Sequence, residues 1–186
     1  MRFLLHLFLA GAVFAASPQF DLRDTAGARH TAIEWRDKKA IVVFFIMTDC
    51  PLSNGYVPEM NRIAAEYQKQ GVAVYAAHSD PFVGDSTVKT HVQEFGYTFP
   101  VLLDTKLTLA RAAGATTVPE VAVFSAGGEL QYLGRIDNRM EDITRRRNVA
   151  TEFELRSALD AVIAGKAPKI TRTRAVGCAI NLEGVK

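Results

Sequence analysis

The stretch AIVVFFIMTDCPLSNGYVPEM, residues 40–60, joins a continuous apolar run to a segment with helical periodicity. Its first eight residues are β-branched, aromatic or aliphatic without polar alternation, which is typical of a strand buried on both faces of a sheet. From Pro51 onward, apolar residues recur at intervals of three and four, and this pattern predicts a helix that ends at Gly71. A lone cysteine, Cys50, therefore lies where a buried strand passes into a long helix.

Outward from this stretch, strand-like and helix-like segments alternate, as they do in crossover units that build a sheet with parallel strands. Residues 20–35 predict an edge hairpin before the first strand. The glycine pair after Ala126 indicates a second hairpin near the end. The remaining predicted segments are strands at 72–80, 99–103, 120–124 and 130–134, and helices at 85–95, 107–113 and 152–164.

The beginning of the chain predicts export. The first fifteen residues, MRFLLHLFLAGAVFA, combine an early arginine, an apolar stretch and small residues before a cleavage point after Ala15, as in a secretory signal peptide. An uncleaved membrane anchor is the alternative, but a spanning helix needs about 20 apolar residues and His6 interrupts this stretch. We expect a signal peptide at 1–15, one globular domain at 16–165, a C-terminal tail at 166–186, and a periplasmic or secreted protein without stable membrane insertion after cleavage.

The charge balance excludes an obvious polyanionic partner. The chain of 186 residues is 48% hydrophobic and carries a formal charge of +2, which falls to +1 when the leader with its single arginine is removed. The basic run at 145–147 lies beside Glu141 and Asp142, so we interpret it as a solvated loop face. No nucleic-acid partner is predicted.

Cys50 has the position of a reactive thiol. A cysteine at the start of a helix faces unpaired N–H groups and the positive end of the helix dipole, which favour the thiolate. Pro51 suits the first helical turn, and the hydroxyl of Ser53 lies within reach of the sulfur in that turn. The alternative is that Cys50 is one half of a structural disulfide, with Cys178 as its only partner within a monomer.

These residues resemble the thioredoxin-like superfamily, and within it the exported redoxin and peroxiredoxin-like proteins of the alkyl hydroperoxide reductase and thiol-specific antioxidant type. Cys50 and Pro58 are eight residues apart, as are the first cysteine and the helix proline of the superfamily's CxxC branch. The segment Thr117-Val118-Pro119-Glu120 before the run VAVF is similar to the cis-proline loop that faces the motif. The resemblance implies an α/β three-layer sandwich, with a central mixed sheet, helices on both faces and an N-terminal hairpin.

The same resemblance implies the site residues. Cys50 takes the position of the nucleophilic cysteine, and Pro119 is expected in the cis form at the docking groove. Pro51, Ser53 and Val118 are the expected substrate contacts. The expected substrates are a protein thiol or disulfide or a small peroxide, with no cofactor.

Departures from the family pattern decide what remains open. Ser53 occupies the position of the resolving cysteine, and Thr48 lies two residues before Cys50 rather than the three of a peroxiredoxin. Because a mixed disulfide must be resolved by another thiol, Cys178 in the tail is the candidate. A static disulfide between Cys50 and Cys178 is the alternative. Because it would close a long loop, this disulfide would stabilise the folded protein by about 5 kcal/mol.

A non-enzymatic module is the competing class of function. It would be a redox-inert binding domain or a copper carrier that uses Cys50, a methionine and His78, although no compact metal site is predicted. We otherwise expect His78 to be a core-edge residue and His91 to be exposed. Glu120 is expected to begin a strand, with proton acceptance as the alternative role.

Overall fold

The computed structural model describes residues 18–183. Nine strands and four α-helices are assigned in this part of the chain. The strands are β1 (Asp21–Arg23), β2 (Arg29–Thr31), β3 (Ala40–Ile46), β4 (Val72–His78), β5 (Val101–Leu103), β6 (Thr117–Val118), β7 (Glu120–Ser125), β8 (Leu130–Gly134) and β9 (Cys178–Ala179). The helices are α1 (Pro51–Tyr67), α2 (Asp85–Phe95), α3 (Thr108–Ala113) and α4 (Glu154–Ile163).

A mixed five-stranded sheet in the order β5-β4-β3-β7-β8 forms the centre of the fold. Strand β3 is parallel to β4 and antiparallel to β7, and β8 closes the sheet as an antiparallel edge. Every residue of β3 is buried, because the sheet is covered on both faces. The strand predicted from the apolar run therefore lies at the middle of the sheet.

Alternating residues of β3 contact two separate hydrophobic cores. Val42 and Phe44 pack in the core that contains side chains of α1, α2 and α4. Val43 and Phe45 pack in the core that contains α3 and the region of the N-terminal hairpin, including Trp35. Helices therefore cover both faces of the sheet, and the predicted three-layer α/β architecture is confirmed.

The predicted segments agree closely with the observed ones. Helices α1 and α2 begin at the predicted residues, and β7 and β8 form the predicted hairpin. The N-terminal hairpin of β1 and β2 lies beside β5, where the backbone N–H of Thr25 donates to the Val101 carbonyl at 3.0 Å.

The predicted signal peptide at 1–15 lies outside the described residues. Within residues 18–183, no helix combines the length and the apolarity that crossing a bilayer requires.

The tail after α4 folds back along the protein in two steps. It first contacts β8, where the Leu133 N–H donates to Thr171 at 3.0 Å and the Thr173 N–H donates to Leu133 at 3.1 Å. Gly134 makes this approach possible, because a Cβ atom at this position would lie within 2.8 Å of the Thr173 backbone. The tail then continues to Cys178, which begins β9.

Candidate active site at Cys50

Cys50 is the N-cap of α1, and Pro51 is the first helical residue, as the sequence predicts. Asn54 holds this turn through two bonds: its backbone N–H donates to the Cys50 carbonyl at 3.0 Å, and its side-chain amide donates to the Thr48 carbonyl at 3.0 Å. No side chain among the described residues caps α1. The positive end of the helix dipole therefore lies beside Cys50.

The sulfur of Cys50 faces the loop that contains β6. Its Sγ donates a hydrogen bond to the carbonyl oxygen of Val118 at 3.3 Å. The Val118–Pro119 peptide bond is cis, as predicted. Cys50 and Val118 are both 0% exposed, so the sulfur is buried in this arrangement.

Glu120 fastens the loop to the sheet. It is the first residue of β7, is buried, and accepts a hydrogen bond from the Thr116 N–H at 3.0 Å. Burial raises the pKa of this carboxyl, although the backbone N–H groups of Thr116 and Thr117 act in the opposite direction. The structure thus gives Glu120 the predicted strand-start position and adds a role in holding the loop.

The second cysteine meets the first across this loop. Strand β9 pairs antiparallel with β6, and Cys178 lies opposite Val118 in the register. The pairing continues beyond the strand, where the Ile180 N–H donates to the Thr116 carbonyl at 2.9 Å. Cys178 and Cys50 are both free thiols in this structure, and Val118 contacts both residues, one through its carbonyl and the other through the strand pairing.

Electrostatics separate the two thiols. The pKa of Cys178 is raised well above its ordinary value, first by burial, then by the hydrogen bond to Cys50 and by the negative charges of Cys50 and Asp49. Cys178 therefore keeps its proton at neutral pH.

The surroundings of Ser53 and His91 differ from the expectations. The Ser53 hydroxyl is 0% exposed and has no hydrogen-bond partner among residues 18–183, so the predicted contact with the Cys50 sulfur is not formed. His91 is buried rather than exposed, and its ring lies 6.0 Å from that of Tyr97. Burial, with a smaller contribution from the charge of Cys50, raises the pKa of Tyr97.

His78 ends β4 in the core, as the structural interpretation predicted. Burial lowers its pKa to about 4, so this imidazole is neutral at pH 7. In the described part of the chain, no three or more His, Cys, Asp and Glu side chains are close enough together to hold a metal ion.

A surface groove of about 250 Å³ adjoins the start of α1. Pro51, a predicted substrate contact, lies on its wall. The other lining residues are Leu52, Gly55, Tyr56, Arg139, Met140 and Arg146. The groove therefore offers an apolar surface with two cationic side chains at the first turn of α1.

Sequence reasoning did not identify the residues that seat the tail. Thr171, Thr173 and Gly177 lie in a segment without periodicity, and the sequence does not predict the pairing of β9 with β6. The one local signal was the glycine directly before Cys178, because a glycine often marks a close approach of two backbones. The carbonyl of Val118 as the partner of the Cys50 sulfur has no sequence signal.

Comparisons with known proteins identify a family and several relatives of this chain. A model of the AhpC/TSA family matches residues 13–133. The chain is 29% identical over 136 residues to the thiol-disulfide oxidoreductase ResA of Geobacillus thermodenitrificans, covering 72% of this chain and 75% of the relative. A hypothetical protein of Sinorhizobium meliloti has a solved structure that matches with a TM-score of 0.77 at 29% identity, covering 94% of this chain and 97% of that one.

A thioredoxin domain of a thiol-disulfide oxidoreductase from Bacteroides vulgatus matches with a TM-score of 0.54 at 14% identity, over 64% of this chain and 85% of that one. At this identity the match shows the fold alone, and it confirms the predicted thioredoxin-like architecture. The relatives named as thiol-disulfide oxidoreductases support the predicted class of thiol-dependent oxidoreductase.

Proposed function

We propose that this chain, which belongs to the AhpC/TSA family, is an exported thiol-disulfide oxidoreductase with Cys50 as nucleophile and Cys178 as resolving thiol. The observation that carries the proposal is the pairing of β9 with β6, which places Cys178 opposite Val118, the residue whose carbonyl accepts from the Cys50 Sγ at the N-terminus of α1. Export rests on the leader-like first fifteen residues.

The first step is attack on a client disulfide. The Cys50 thiolate forms a bond to one client sulfur, the client S–S bond breaks, and the other client cysteine leaves as a thiolate that takes up a proton. The positive end of α1 stabilises the attacking charge. The product is a mixed disulfide between Cys50 and the client.

The second step is resolution by Cys178. Its sulfur attacks the Cys50 sulfur, the mixed disulfide breaks, and the client cysteine leaves as a thiol after protonation. The net reaction reduces the client disulfide by two electrons and converts Cys50 and Cys178 into a disulfide. A dithiol reductant then restores both thiols, and the same steps in reverse oxidise a client dithiol.

The electrostatics order these steps. Two of the causes that raise the pKa of Cys178 are its hydrogen bond to Cys50 and the negative charge on Cys50. Both causes disappear when the Cys50 sulfur enters a mixed disulfide, because that sulfur is then neutral. Cys178 therefore loses its proton more readily after the first step than before it, which suits a resolving thiol.

The test is single-turnover reduction of a disulfide substrate by the reduced protein. Cys50→Ser should abolish the reaction, and Cys178→Ser should allow the first step but accumulate the mixed disulfide, visible by mass spectrometry. A disulfide rate that is unchanged by Cys50→Ser would overturn the proposal. Faster Cys50-dependent turnover of hydrogen peroxide would favour the peroxide-reducing alternative instead.

Thiol trapping of the exported protein tests the static alternative. A Cys50–Cys178 disulfide that forms and is reduced reversibly at ordinary dithiol concentrations supports the proposal. A bridge that resists reduction in the folded protein would instead indicate a structural disulfide, and the chain would be a binding module.

A further inference from the structure

Several buried polar atoms lie between the central sheet and helices α1 and α2 without a protein partner. Among residues 18–183, no hydrogen bond reaches the hydroxyl groups of Ser53 and Tyr97 or the Nε2 atoms of His78 and His91. Folded proteins leave few buried polar groups unpaired, and those that lack a protein partner bind ordered water. These four side chains therefore indicate a hydrated site inside the protein.

The four side chains lie on the same side of the sheet. The residues of β4 at positions 72, 74 and 76 belong to the core that contains α1 and α2, so alternation along the strand places His78 on that face. Tyr97 packs against this core, and its ring lies 6.0 Å from that of His91, which is buried on α2. Ser53 is 0% exposed on the first turn of α1.

This polar group lies close to Cys50. Ser53 follows Cys50 by three residues, which is about one turn of α1. Tyr97 is near enough for the negative charge of Cys50 to contribute, after burial, to the raised pKa of its hydroxyl. Val118, whose carbonyl contacts the sulfur, belongs to the core on the other face of the sheet. The polar group and Val118 therefore approach the sulfur from different sides.

The contact with Val118 favours the thiol form of Cys50. The Cys50 Sγ donates to the Val118 carbonyl at 3.3 Å. A carbonyl oxygen has no proton to donate, so the same contact joins two acceptors once Cys50 is a thiolate. The thiolate therefore needs donors from its other side, in addition to the N-terminal end of α1. Because burial raises the pKa of Tyr97, its hydroxyl keeps its proton and remains a donor.

We propose that the buried polar group holds water behind Cys50 and that the Tyr97 hydroxyl donates through this water to the Cys50 thiolate. The water oxygen accepts from Tyr97, and one water O–H points at the sulfur. Ser53 and the neutral imidazoles of His78 and His91 supply the further hydrogen bonds that hold a buried water. This inference rests on the proposed function and adds Tyr97 as a positioning residue that stabilises the nucleophile through water.

A pH profile can isolate this effect from the other ionisable groups around the sulfur and Tyr97. These groups are Asp49, His78, Asp80, His91, Glu94 and Cys178. Burial lowers the pKa of both histidines, so neither becomes charged as the pH rises above 7. Cys178 is removed by substitution in the experiment. The midpoint of Cys50 alkylation above pH 7 then reports the thiolate of Cys50 and its donors.

The experiment follows iodoacetamide uptake by mass spectrometry in the full chain with Cys178→Ser, at pH values from 6 to 10. Tyr97→Phe and Ser53→Ala are each added to this parent protein. Tyr67→Phe is the matched control, because the Tyr67 side chain is also buried but its hydroxyl donates to Asp160 at 2.8 Å, at the opposite end of α1 from Cys50. Urea unfolding checks that every variant is folded under the labelling conditions.

We expect Tyr97→Phe to raise the midpoint of the profile by about one pH unit, which means about tenfold less thiolate at neutral pH, because a hydrogen bond to a charged group is lost. Ser53→Ala should raise the midpoint as well, because it removes another ligand of the same water. Tyr67→Phe should leave the midpoint in place. A merely structural role of Tyr97 would change the plateau rate through access to the sulfur, but it would not move the midpoint.

The inference is wrong if neither Tyr97→Phe nor Ser53→Ala moves the midpoint away from that of Tyr67→Phe. The proposed function has its own readout in the same parent protein, which is formation of the mixed disulfide between Cys50 and a disulfide substrate at pH 7. A parent that forms no mixed disulfide would overturn the proposed function. A reactive parent whose variants share one midpoint would overturn only the role of Tyr97 and its water.

Discussion

Cys50 is buried and the tail pairs with the loop that faces it, so we expect the tail to limit access to Cys50, and Gly177→Ala tests this directly. The added Cβ would lie 1.9 Å from the Val118 oxygen, whereas carbon–oxygen contacts are ordinarily about 3.3 Å or longer. The strand must retreat by more than about 1 Å, which stretches the 2.9 Å bond from the Ile180 N–H to the Thr116 carbonyl beyond hydrogen-bonding distance. Losing about two or three backbone bonds at ~1 kcal/mol each weakens the seat by about 2–3 kcal/mol.

This weakening should appear as faster alkylation of Cys50. A change of 2–3 kcal/mol multiplies the population of the open tail by about 30 to 140, and the alkylation rate of a buried thiol follows that population when opening is fast. The variant is made in the Cys178→Ser background, so that Cys50 alone is labelled, and mass spectrometry follows iodoacetamide uptake.

Gly84→Ala is the matched control. A Cβ at Gly84 meets no atom within 4 Å, and the backbone there has φ −69°, which alanine adopts readily. Urea unfolding must show that both variants remain folded under the labelling conditions. If Gly177→Ala is alkylated no faster than Gly84→Ala, the tail does not limit access to Cys50, and the reasoning from its seat fails.

Three further predictions concern stability, each measured as the free energy of unfolding in urea. Burial lowers the pKa of His78 to about 4, so between pH 7 and pH 5 the unfolded chain takes up a proton that the folded protein does not. The free energy of unfolding therefore falls as the pH falls over this range. His78→Gln should remove about 2 kcal/mol of that fall. An unchanged pH dependence would contradict this. Gly134→Ala, whose Cβ would approach the Thr173 backbone to 2.8 Å, should release the tail from β8 and cost about 1–3 kcal/mol, whereas no loss would show that the anchor is dispensable. Tyr56→Phe removes a buried 2.7 Å bond to Asp137 and should cost about 1–2 kcal/mol; a neutral effect would mean that this carboxylate is satisfied without the tyrosine.

The sequence predicted those features that depend on short-range pattern. The continuous apolar run of β3 indicated a fully buried strand, and the structure confirms it at the centre of the sheet. The position of Cys50 at the N-cap of α1 followed from the change of periodicity and from Pro51. The cis form at Pro119 came from family resemblance, since the local sequence alone favours the trans form.

Predictions that depended on side-chain surroundings were less successful. Ser53 lies in the predicted turn, yet its hydroxyl points into the interior without a partner among the described residues. His91 was expected to be exposed on α2, but the aromatic rings of Phe95 and Tyr97 cover it. Helical position is a local property, whereas burial depends on what the remainder of the chain places against that helix.

The layered α/β fold, the helix start at Cys50 and the candidacy of Cys178 can be read along the chain, because hydrophobic period, a helix-start proline and the cysteine count are local or compositional signals. The placement of Cys178 opposite Val118, the residue that also contacts the Cys50 sulfur, is visible only in the folded chain. That placement depends on a ladder of two residue pairs between segments distant in sequence. A strand of two residues has no period to read, and its register is set by the approach of Gly177 to the Val118 carbonyl.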